Sequence, residues 1–566
     1  MASLESQLAY EPQVLKFGTS GRRGLIIHLT QLEIYTNVTG ELRYLQALPP
    51  SQGGVRKGDD FYYAYDLRPS SINYVENNRG GLCQAVEKAL KDAGMNPINL
   101  GAIPTPALTY YALQKGKGSI MVTGSHIPFD RNGYKLNTSL GELLKKDEQP
   151  INESVAVARK ELLAQPFAES LFDNQGMLKS RETALEPVID DGKTAYFQRY
   201  IDFFKGETLQ GFKLLVYQHS AVGRDFIVEL FKALGADVLP IGRSDTFVPI
   251  DTEAIDQAQL DTLQALYDGT GQSFDAILST DGDSDRPLLV APDNGKLRFF
   301  SGDLLGMVVA EFLGSDAVVV PISTNDAIDI GPLANFTEPK TKIGSPYVIA
   351  GMQNSVAKGR SRVLGWEANG GFLTGSDIEY DGKVLPALPT RDAVLPLLSV
   401  LFASRKQNVS IPALFNKLPA RFSRAAVIRN FPRANSLKIV ARFSPTEIKG
   451  IYELSYEGDK RTNRFVDGDK VAEVDSAHTK AVDDIRAGLQ SVFTSERGFG
   501  SIIRLNYTDG VRAIFDNGDV AHIRPSGNAD ELRIYSVANS QARADEICDL
   551  GIQEPNGLLR QLAKLV

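Results

Sequence analysis

Residues 274–286 read FDAILSTDGDSDR. The first seven are mostly apolar or β-favouring and predict a short buried strand, and the strand delivers a polar loop at its end. That loop carries Asp281, Asp283 and Asp285 at alternate positions, followed by Arg286. Three carboxylates this close repel one another unless a cation sits among them. Hard oxygen ligands suit Mg²⁺, which acts beside phosphate and keeps some of its water. Arg286 adds a planar donor fork for a phosphate oxygen. The plain alternative is an acidic surface turn. An EF-hand does not fit, because no helix-borne glutamate follows at the required distance.

Outward from this stretch the same alternation recurs. Upstream, KLLVYQ (213–218) predicts a strand, HSAVGRD (219–225) a turn, FIVELFKALG a helix and ADVLPI a strand. Earlier still, FYYAYD (61–66) and SIMVT (119–123) read as strands, with a helix over about 76–93 and a short strand near 102–104. Downstream, GDLLGMVVAEFLG is helical, DAVVVPI is a strand, and RVLGWEANGG (362–371) ends in another polar loop. Short apolar strands alternating with amphipathic helices predict parallel or mixed sheets. The C-terminal part differs. LKIVAR, SIIRLNY, VRAIFD, DVAHIRP and LRIYSVA are strand-like, with helices near 478–492 and 542–548. The expected fold class is α/β, with three related mixed-sheet α/β domains (1–195, 196–305 and 306–425) and a C-terminal α+β domain (426–566).

The chain has 566 residues, more than one hydrophobic core accommodates. A hydrophobic share of 43% and a charged share of 23% exclude global disorder, a collagen repeat and a coiled-coil rod. Lysine and arginine total 61 against 69 aspartates and glutamates, a net charge of −8. That balance argues against a nucleic-acid partner but leaves room for a locally basic cleft. Cys83 and Cys548 form no CxxC pair and fit a reducing compartment. The opening MASLESQLAYEPQVLKF lacks a basic start followed by an apolar run. AVLPLLSVLFA (393–403) falls short of the ~20 residues of a membrane span. The expectation is a cytoplasmic protein with no membrane partner and no oligomer interface identifiable from its residues.

Four further segments carry candidate chemistry. In TGSHIPFDRNGYK (123–135), Ser125 is a candidate nucleophile and Gly124 allows close approach. His126 is adjacent to it, and neighbouring side chains rarely face each other, so His126 is better placed to bind an anion than to act as its base. Lys135 comes within reach after the Asn132–Gly133 turn. FGTSGRRG (17–24) lacks a Walker pattern and a dinucleotide fingerprint, but Arg22 and Arg23 can contact phosphate. GWEANGG (365–371) offers Glu367 and Asn369 to sugar hydroxyls, with Trp366 for packing. RPSGNADELR (524–533) sets Arg524 before a Ser526–Gly527–Asn528 turn, with Arg533 behind it. A polar loop, a loose lead-in, a packing corner and a hairpin are the respective plain alternatives.

Together these segments resemble the α-D-phosphohexomutase family, which includes phosphoglucomutases and phosphomannomutases. FGTSGRRG, TGSHIP, NGYK, DGDSDR, GWEANGG and RPSG occur in the family's order over nearly the entire chain. The resemblance implies four domains around a deep central cleft. It implies that Ser125 carries the catalytic phosphoryl group, and that Asp281, Asp283 and Asp285 hold Mg²⁺ with the serine phosphate as another ligand. Arg286 matches the arginine after the metal loop. Arg23 and Lys135 match groups of the proton-transfer and charge-stabilising environment, Glu367 the sugar-recognising glutamate, and Arg524, Ser526 and Gly527 the phosphate loop. Ile127, Asn369, Gly371 and Asn528 depart from the common family pattern, which has asparagine, serine, in many phosphomannomutases histidine, and threonine there.

The function so implied is interconversion of hexose 1-phosphate and hexose 6-phosphate through phosphoserine and a hexose 1,6-bisphosphate intermediate. Small phosphosugars of glucose or mannose are the expected partners, and Gly371 leans the choice toward glucose. Phosphoglucosamine mutase is an alternative. From the residues alone, a magnesium-dependent phosphosugar hydrolase and a noncatalytic sugar-phosphate binding protein also stay open.

Overall fold

A computed structural model of the chain describes residues 2–18, 21–181, 183–253, 255–446, 448, 450–465, 470–526 and 530–566. The chain divides into two compact units, Met1–Val319 with Gly344–Phe415 and Val320–Ile343 with Asn416–Val566.

The first unit is built on three mixed sheets. In the first, Asn96–Ala102 pairs parallel with Asp60–Tyr65, and that strand pairs parallel with Ser119–Val122. Ser119–Val122 then turns antiparallel into Arg131–Thr138, whose far side holds Arg22–Leu25. The second sheet repeats this order. Asp237–Arg243 runs parallel to Lys213–His219, and that strand parallel to Ala276–Thr280. Antiparallel Pro287–Asp293 and Lys296–Phe300 follow. The third is shorter. Ala317–Val319 is parallel to Val363–Trp366, which turns back into Phe372–Thr374, with Leu388–Asp392 beyond.

One device is common to all three: a last parallel strand reverses into an antiparallel neighbour. The reversing loops are 123–130, 281–286 and 367–371, which are three of the candidate segments. The strands before them read as near-continuous apolar runs because the sheets are covered on both faces. Ala276–Thr280 is buried at every residue. Leu215, Ile277, Leu288 and Val290 form its core, as Phe61, Tyr63, Ile120 and Val122 do in the first sheet.

The second unit is an eight-stranded sheet in the order Phe422–Arg429, Glu531–Ala538, Val520–Pro525, Val511–Phe515, Ile502–Asn506, Ile451–Glu457, Lys460–Phe465, Val471–Glu473. Every pairing in it is antiparallel. Helices Ser476–Gln490 and Gln541–Ile552 contribute Val482, Leu489 and Ile547 to the core against Leu454, Ala513, Ile523 and Ile534. The multi-domain α/β class read from the sequence is therefore the class observed. Segment 320–343, expected within the third domain, belongs to the compact unit of the C-terminal sheet.

Local differences have physical causes. The helix expected over 76–93 begins only at Leu82, because Asn77, Asn78, Gly80 and Gly81 adopt positive φ and break the first turn. The strand expected near 102–104 is Asn96–Ala102. LKIVAR (437–442), expected as a strand, lies in helix Arg433–Arg442, where Ser436 and Ile439 bury one face at a helical spacing. The hairpin Ile451–Glu457/Lys460–Phe465 was not expected, since its outer residues are polar and only Leu454, Tyr456 and Asn463 are buried.

Candidate active site

Asp281, Asp283 and Asp285 are buried together on the loop between Ala276–Thr280 and Pro287–Asp293. Their ligand oxygens lie within 4.8 Å of one another. The loop is fixed by its own hydrogen bonds, since the backbone N–H groups of Asp285 and Arg286 each donate to Asp281 Oδ1 at 3.2 Å. Two helix starts brace it from outside. Gly223 N–H, before helix Arg224–Ala233, donates to Ser284 Oγ at 2.8 Å. Thr105, the first residue of helix Thr105–Lys115, donates from its N–H to Asp283 O at 3.0 Å and from its hydroxyl to Asp283 Oδ2 at 2.6 Å.

Ser125 enters from the corresponding loop of the first sheet. Its hydroxyl donates to Asp281 Oδ2 at 2.8 Å. Its backbone is left-handed, with φ of 54°. That turn brings His126 Nδ1 to 3.3 Å from Ser125 Oγ, so the two neighbours do face each other, contrary to the sequence expectation. Arg286 Nη1 lies 3.0 Å from the same nitrogen. A guanidinium can only donate, so Nδ1 is held as an acceptor.

The serine loop is held by residues the sequence reading passed over. Ser125 N–H donates to Thr123 Oγ1 at 2.7 Å, and Thr123 Oγ1 donates to Asp66 Oδ2 at 2.8 Å. Arg68 donates from Nη2 to Ser125 O at 3.0 Å, and from Nη1 to Pro128 O and Arg131 O at 2.8 Å each. Gly124 is required here, because a Cβ on it would stand 2.6 Å from the Arg68 guanidinium carbon. The signal was available: YDLRPS, a polar turn after strand 61–66, follows the same strand-end rule as the other loops.

Lys135 reaches across from strand Arg131–Thr138, and its Nζ is 2.6 Å from both Asp283 Oδ2 and Asp285 Oδ2. Burial lowers the affinity of this amine for its proton, but the two carboxylates outweigh that and hold it above its usual range. Burial also raises the Asp283 carboxyl, yet Lys135 and Thr105 hold it well below the usual range. Asp281 has the more distant Arg286, whose Nε is 3.9 Å from Oδ2, and burial, then Asp283 and Asp285, push its carboxyl well above the usual range. Arg23 lies within electrostatic range of Asp283 and Asp285; burial, then Arg286, bring its guanidinium down to about 10. Its neighbour Arg22 points elsewhere, donating to Glu41 Oε1 at 2.8 Å and Asn152 Oδ1 at 2.9 Å, so only one of the two candidate arginines belongs to the site.

The third loop presents Glu367, whose Oε2 accepts from Nε of Arg391. Arg391 Nη1 also lies 3.9 Å from Asp285 Oδ2, which joins the sugar-reading candidate to the acidic loop. Asn369 turns inward on its own loop and accepts from Gly371 N–H at 2.9 Å. No local pattern pointed to Arg391, because both partners are distant in sequence. Its strand is anchored by Asp392, which accepts from Tyr196 at 2.6 Å and from Tyr200.

The residues fit a divalent cation. Asp283 Oδ1 and Asp285 Oδ1 are buried with no hydrogen-bond partner among the described residues. Such oxygens are costly unless a cation takes them. In all, Asp281, Asp283, Asp285 and Glu367 lie among Lys135, Arg286, Arg23 and Arg391, an arrangement of four carboxylates and four cations.

The C-terminal candidates lie in the second unit. Arg524 pairs across the hairpin with Arg533, and its Nε donates to Asp509 Oδ2 at 3.0 Å. Ser526 N–H donates to Glu531 O at 3.0 Å, and Arg533 Nη2 reaches Glu531 Oε2 at 3.3 Å. Gly527 and Asn528 lie outside the described residues.

Known proteins resemble this chain over most of its length. The family description "Phosphoglucomutase/phosphomannomutase, alpha/beta/alpha domain I" matches residues 14–161, and "domain III" of the same family matches 301–422. A phosphomannomutase of Sinorhizobium fredii is 34% identical over 539 residues, covering 95% of this chain and 98% of that one. A phosphomannomutase of Salmonella muenchen is 35% identical over 539 residues, covering 94% of each. The crystal structure of a phosphoglucomutase/phosphomannomutase family protein from Burkholderia thailandensis shares the fold with a TM-score of 0.59 at 18% identity, covering 100% of this chain and 98% of that one.

Proposed function

We infer that this chain, which belongs to the phosphoglucomutase/phosphomannomutase family and is a phosphohexomutase, interconverts the 1- and 6-phosphates of a hexose by way of phosphorylated Ser125 and a bound hexose 1,6-bisphosphate. The observation that carries this reading is the 2.8 Å bond from Ser125 Oγ to Asp281 in a pocket shared with Lys135 and Arg286.

In the first half-reaction a sugar hydroxyl oxygen bonds to phosphorus and the bond from phosphorus to Ser125 Oγ breaks. The proton of the attacking hydroxyl is released, and Oγ regains one. After the bisphosphate reorients, its other phosphoryl group returns to Ser125 Oγ, so no inorganic phosphate is formed. Asp281, Asp283, Asp285 and the phosphoserine would hold Mg²⁺, whose charge neutralises phosphoryl oxygens and eases departure of the serine oxygen. Lys135 stays an ammonium and Arg286 donates to a phosphoryl oxygen. Arg23, brought down to about 10 by burial and Arg286, is the cation proposed for proton exchange. With Nδ1 committed as an acceptor, the other ring nitrogen of His126 is a donor to an anionic oxygen. Glu367, oriented by Arg391, accepts from sugar hydroxyls away from the reacting phosphate, with Asn369 beside it. The phosphate that is not reacting is assigned to Arg524, Ser526, Gly527, Asn528 and Arg533.

Phosphomannose and phosphoglucose are the proposed substrates. The relatives named phosphomannomutase support mannose. Glycine at 371 does not argue against it, since the packing of Arg391 accounts for that position. A division into four domains and a cytoplasmic location belong to the same proposal.

Protein purified without phosphatase should carry a phosphorylated fraction that maps to Ser125, and Ser125→Ala should lose turnover by orders of magnitude. Near-normal turnover in that variant sinks the assignment. Phosphate release equal to substrate loss would make the protein a hydrolase. Saturable binding without turnover, with hexose 1,6-bisphosphate and Mg²⁺ present, would make it a binding protein. Paired kcat/KM values on glucose, mannose and glucosamine phosphates decide the sugar. A glucosamine preference above about tenfold, ~1.4 kcal/mol of transition-state discrimination, overturns the choice while leaving the serine chemistry intact.

A further inference from the structure

The unit formed by Val320–Ile343 and Asn416–Val566 contains a cleft of about 700 Å³ that shares no residue with the Ser125 site. One wall is a face of the antiparallel sheet. Along Ile451–Glu457 the side chains alternate: Leu454 and Tyr456 enter the core, while Glu453, Ser455 and Glu457 line the cleft. The opposite wall comes from segment 320–343, where Lys340 Nζ pairs with Asp329 Oδ2 at 2.6 Å.

Arg512 is the anomaly. It lines this cleft from strand Val511–Phe515 and is only 6% exposed, yet its Nη2 is buried with no hydrogen-bond partner among the described residues. Asp326, Asp329 and Glu453 act on its charge, but a buried guanidinium N–H without an acceptor is still costly. Nearby Arg504, on the neighbouring strand, is half-exposed at the same cleft. A planar fork of this kind matches a phosphate oxygen pair. Around it, Ser455, Thr462 and Asn506 offer hydroxyls and an amide, and Glu453 and Glu457 offer acceptors for ligand hydroxyls. The volume lies within the range of pockets that hold small molecules and cofactors.

We propose that this cleft is a second ligand site, for the phosphate ester of a polyhydroxylated molecule, with Arg512 as the phosphate anchor. A hexose monophosphate and a nucleoside diphosphate hexose both carry that chemistry. The inference does not rest on the reaction assigned to Ser125.

The test uses the full-length protein and these two compounds as separate probes. Hydrogen exchange is followed in strands Ile451–Glu457, Ile502–Asn506 and Val511–Phe515. At least one probe should protect these strands, and the protecting probe identifies the source of the ester. Arg512→Gln should weaken the protection at least tenfold, and Ser455→Trp, which fills the cleft, should abolish it. Turnover dependent on Ser125 should stay within about twofold of wild type in both variants. If Arg512→Gln does not fold, Ser455→Trp decides alone. No protection by either probe, or protection that persists in every folded variant, overturns the proposal.

Discussion

A Cβ on Gly371 would stand 2.5 Å from Cδ of Arg391, so the glycine and the arginine share one volume. Arg391 uses the space to bring Nε to Glu367 and Nη1 to 3.9 Å from Asp285. Burial works against its charge, but Glu367, Asp285 and Glu142 more than restore it. The departure from the common family pattern at 371 is therefore half of a pair whose other half lies twenty residues on.

Gly371→Ala and Gly371→His should both displace Arg391. We expect kcat/KM to fall about 10- to 100-fold for glucose and mannose phosphates alike, since a misplacement of ~1 Å costs that order. Arg391→Met should give a similar loss, and the double variant Gly371→Ala/Arg391→Met should lose less than the two combined. Steady-state kinetics on both sugars checks this. A gain in mannose activity in Gly371→His would contradict it.

Lys135 competes with any cation for Asp283 and Asp285. Lys135→Met should lower kcat by about 100-fold or more, through loss of a cation beside the transferring phosphoryl group. It should also tighten divalent binding, because two carboxylates lose their ammonium. Calorimetric titration with Mn²⁺, together with the Mg²⁺ dependence of turnover, separates the two effects. Weaker metal binding in the variant is the outcome that refutes this account.

Arg68 and Asp66 form a buried ion pair at 3.3 Å beneath the serine loop. Arg68→Met leaves that carboxylate buried and the carbonyls of Ser125, Pro128 and Arg131 without their donor. The expected cost is about 3–5 kcal/mol. Arg68→Lys should recover part of it, because an ammonium neutralises Asp66 but cannot reach all of the carbonyls. Urea denaturation of the three proteins is the measurement, and equal stability of Arg68→Met and wild type would count against the scaffold.

His522 gives stability a pH dependence. Its Nε2 lies 2.6 Å from Asp509 O, while Nδ1 is buried without a hydrogen-bond partner among the described residues. Burial lowers its pKa from 6.5 to about 4. The unfolded chain therefore binds this proton more readily, and its share of stability is complete above pH 6.5 and drains away toward pH 4. The loss approaches about 3 kcal/mol at the acid end. His522→Gln, which keeps a donor for Asp509, should flatten the slope between those limits in chemical denaturation curves. An unchanged slope argues that His522 is not the titrating group.

The sequence was sufficient for what depends on neighbours along the chain. An apolar run ending in a polar loop marks a buried strand and its exit, and this located the loops of Ser125, of the three aspartates and of Glu367. It failed where a local preference met a stronger distant one. LKIVAR is rich in β-branched and aliphatic residues, yet burying Ile439 on a core that also holds Phe443 makes it helical. The hairpin at 451–465 was missed because its polar residues carry no alternation strong enough to read.

By itself, the chain determined the α/β class, the acidic loop, the candidate nucleophile and the candidate cations. Only the tertiary structure decided which of these act together. Ser125 and Asp281 are 156 positions apart and meet at 2.8 Å. Arg22 and Arg23 are adjacent, yet one closes a core and the other lies within electrostatic range of the carboxylates. Arg391 gains its place only beside Glu367 and Gly371. The physical reason is that charge, burial and hydrogen bonding act over a few ångströms of space, whatever the separation along the chain.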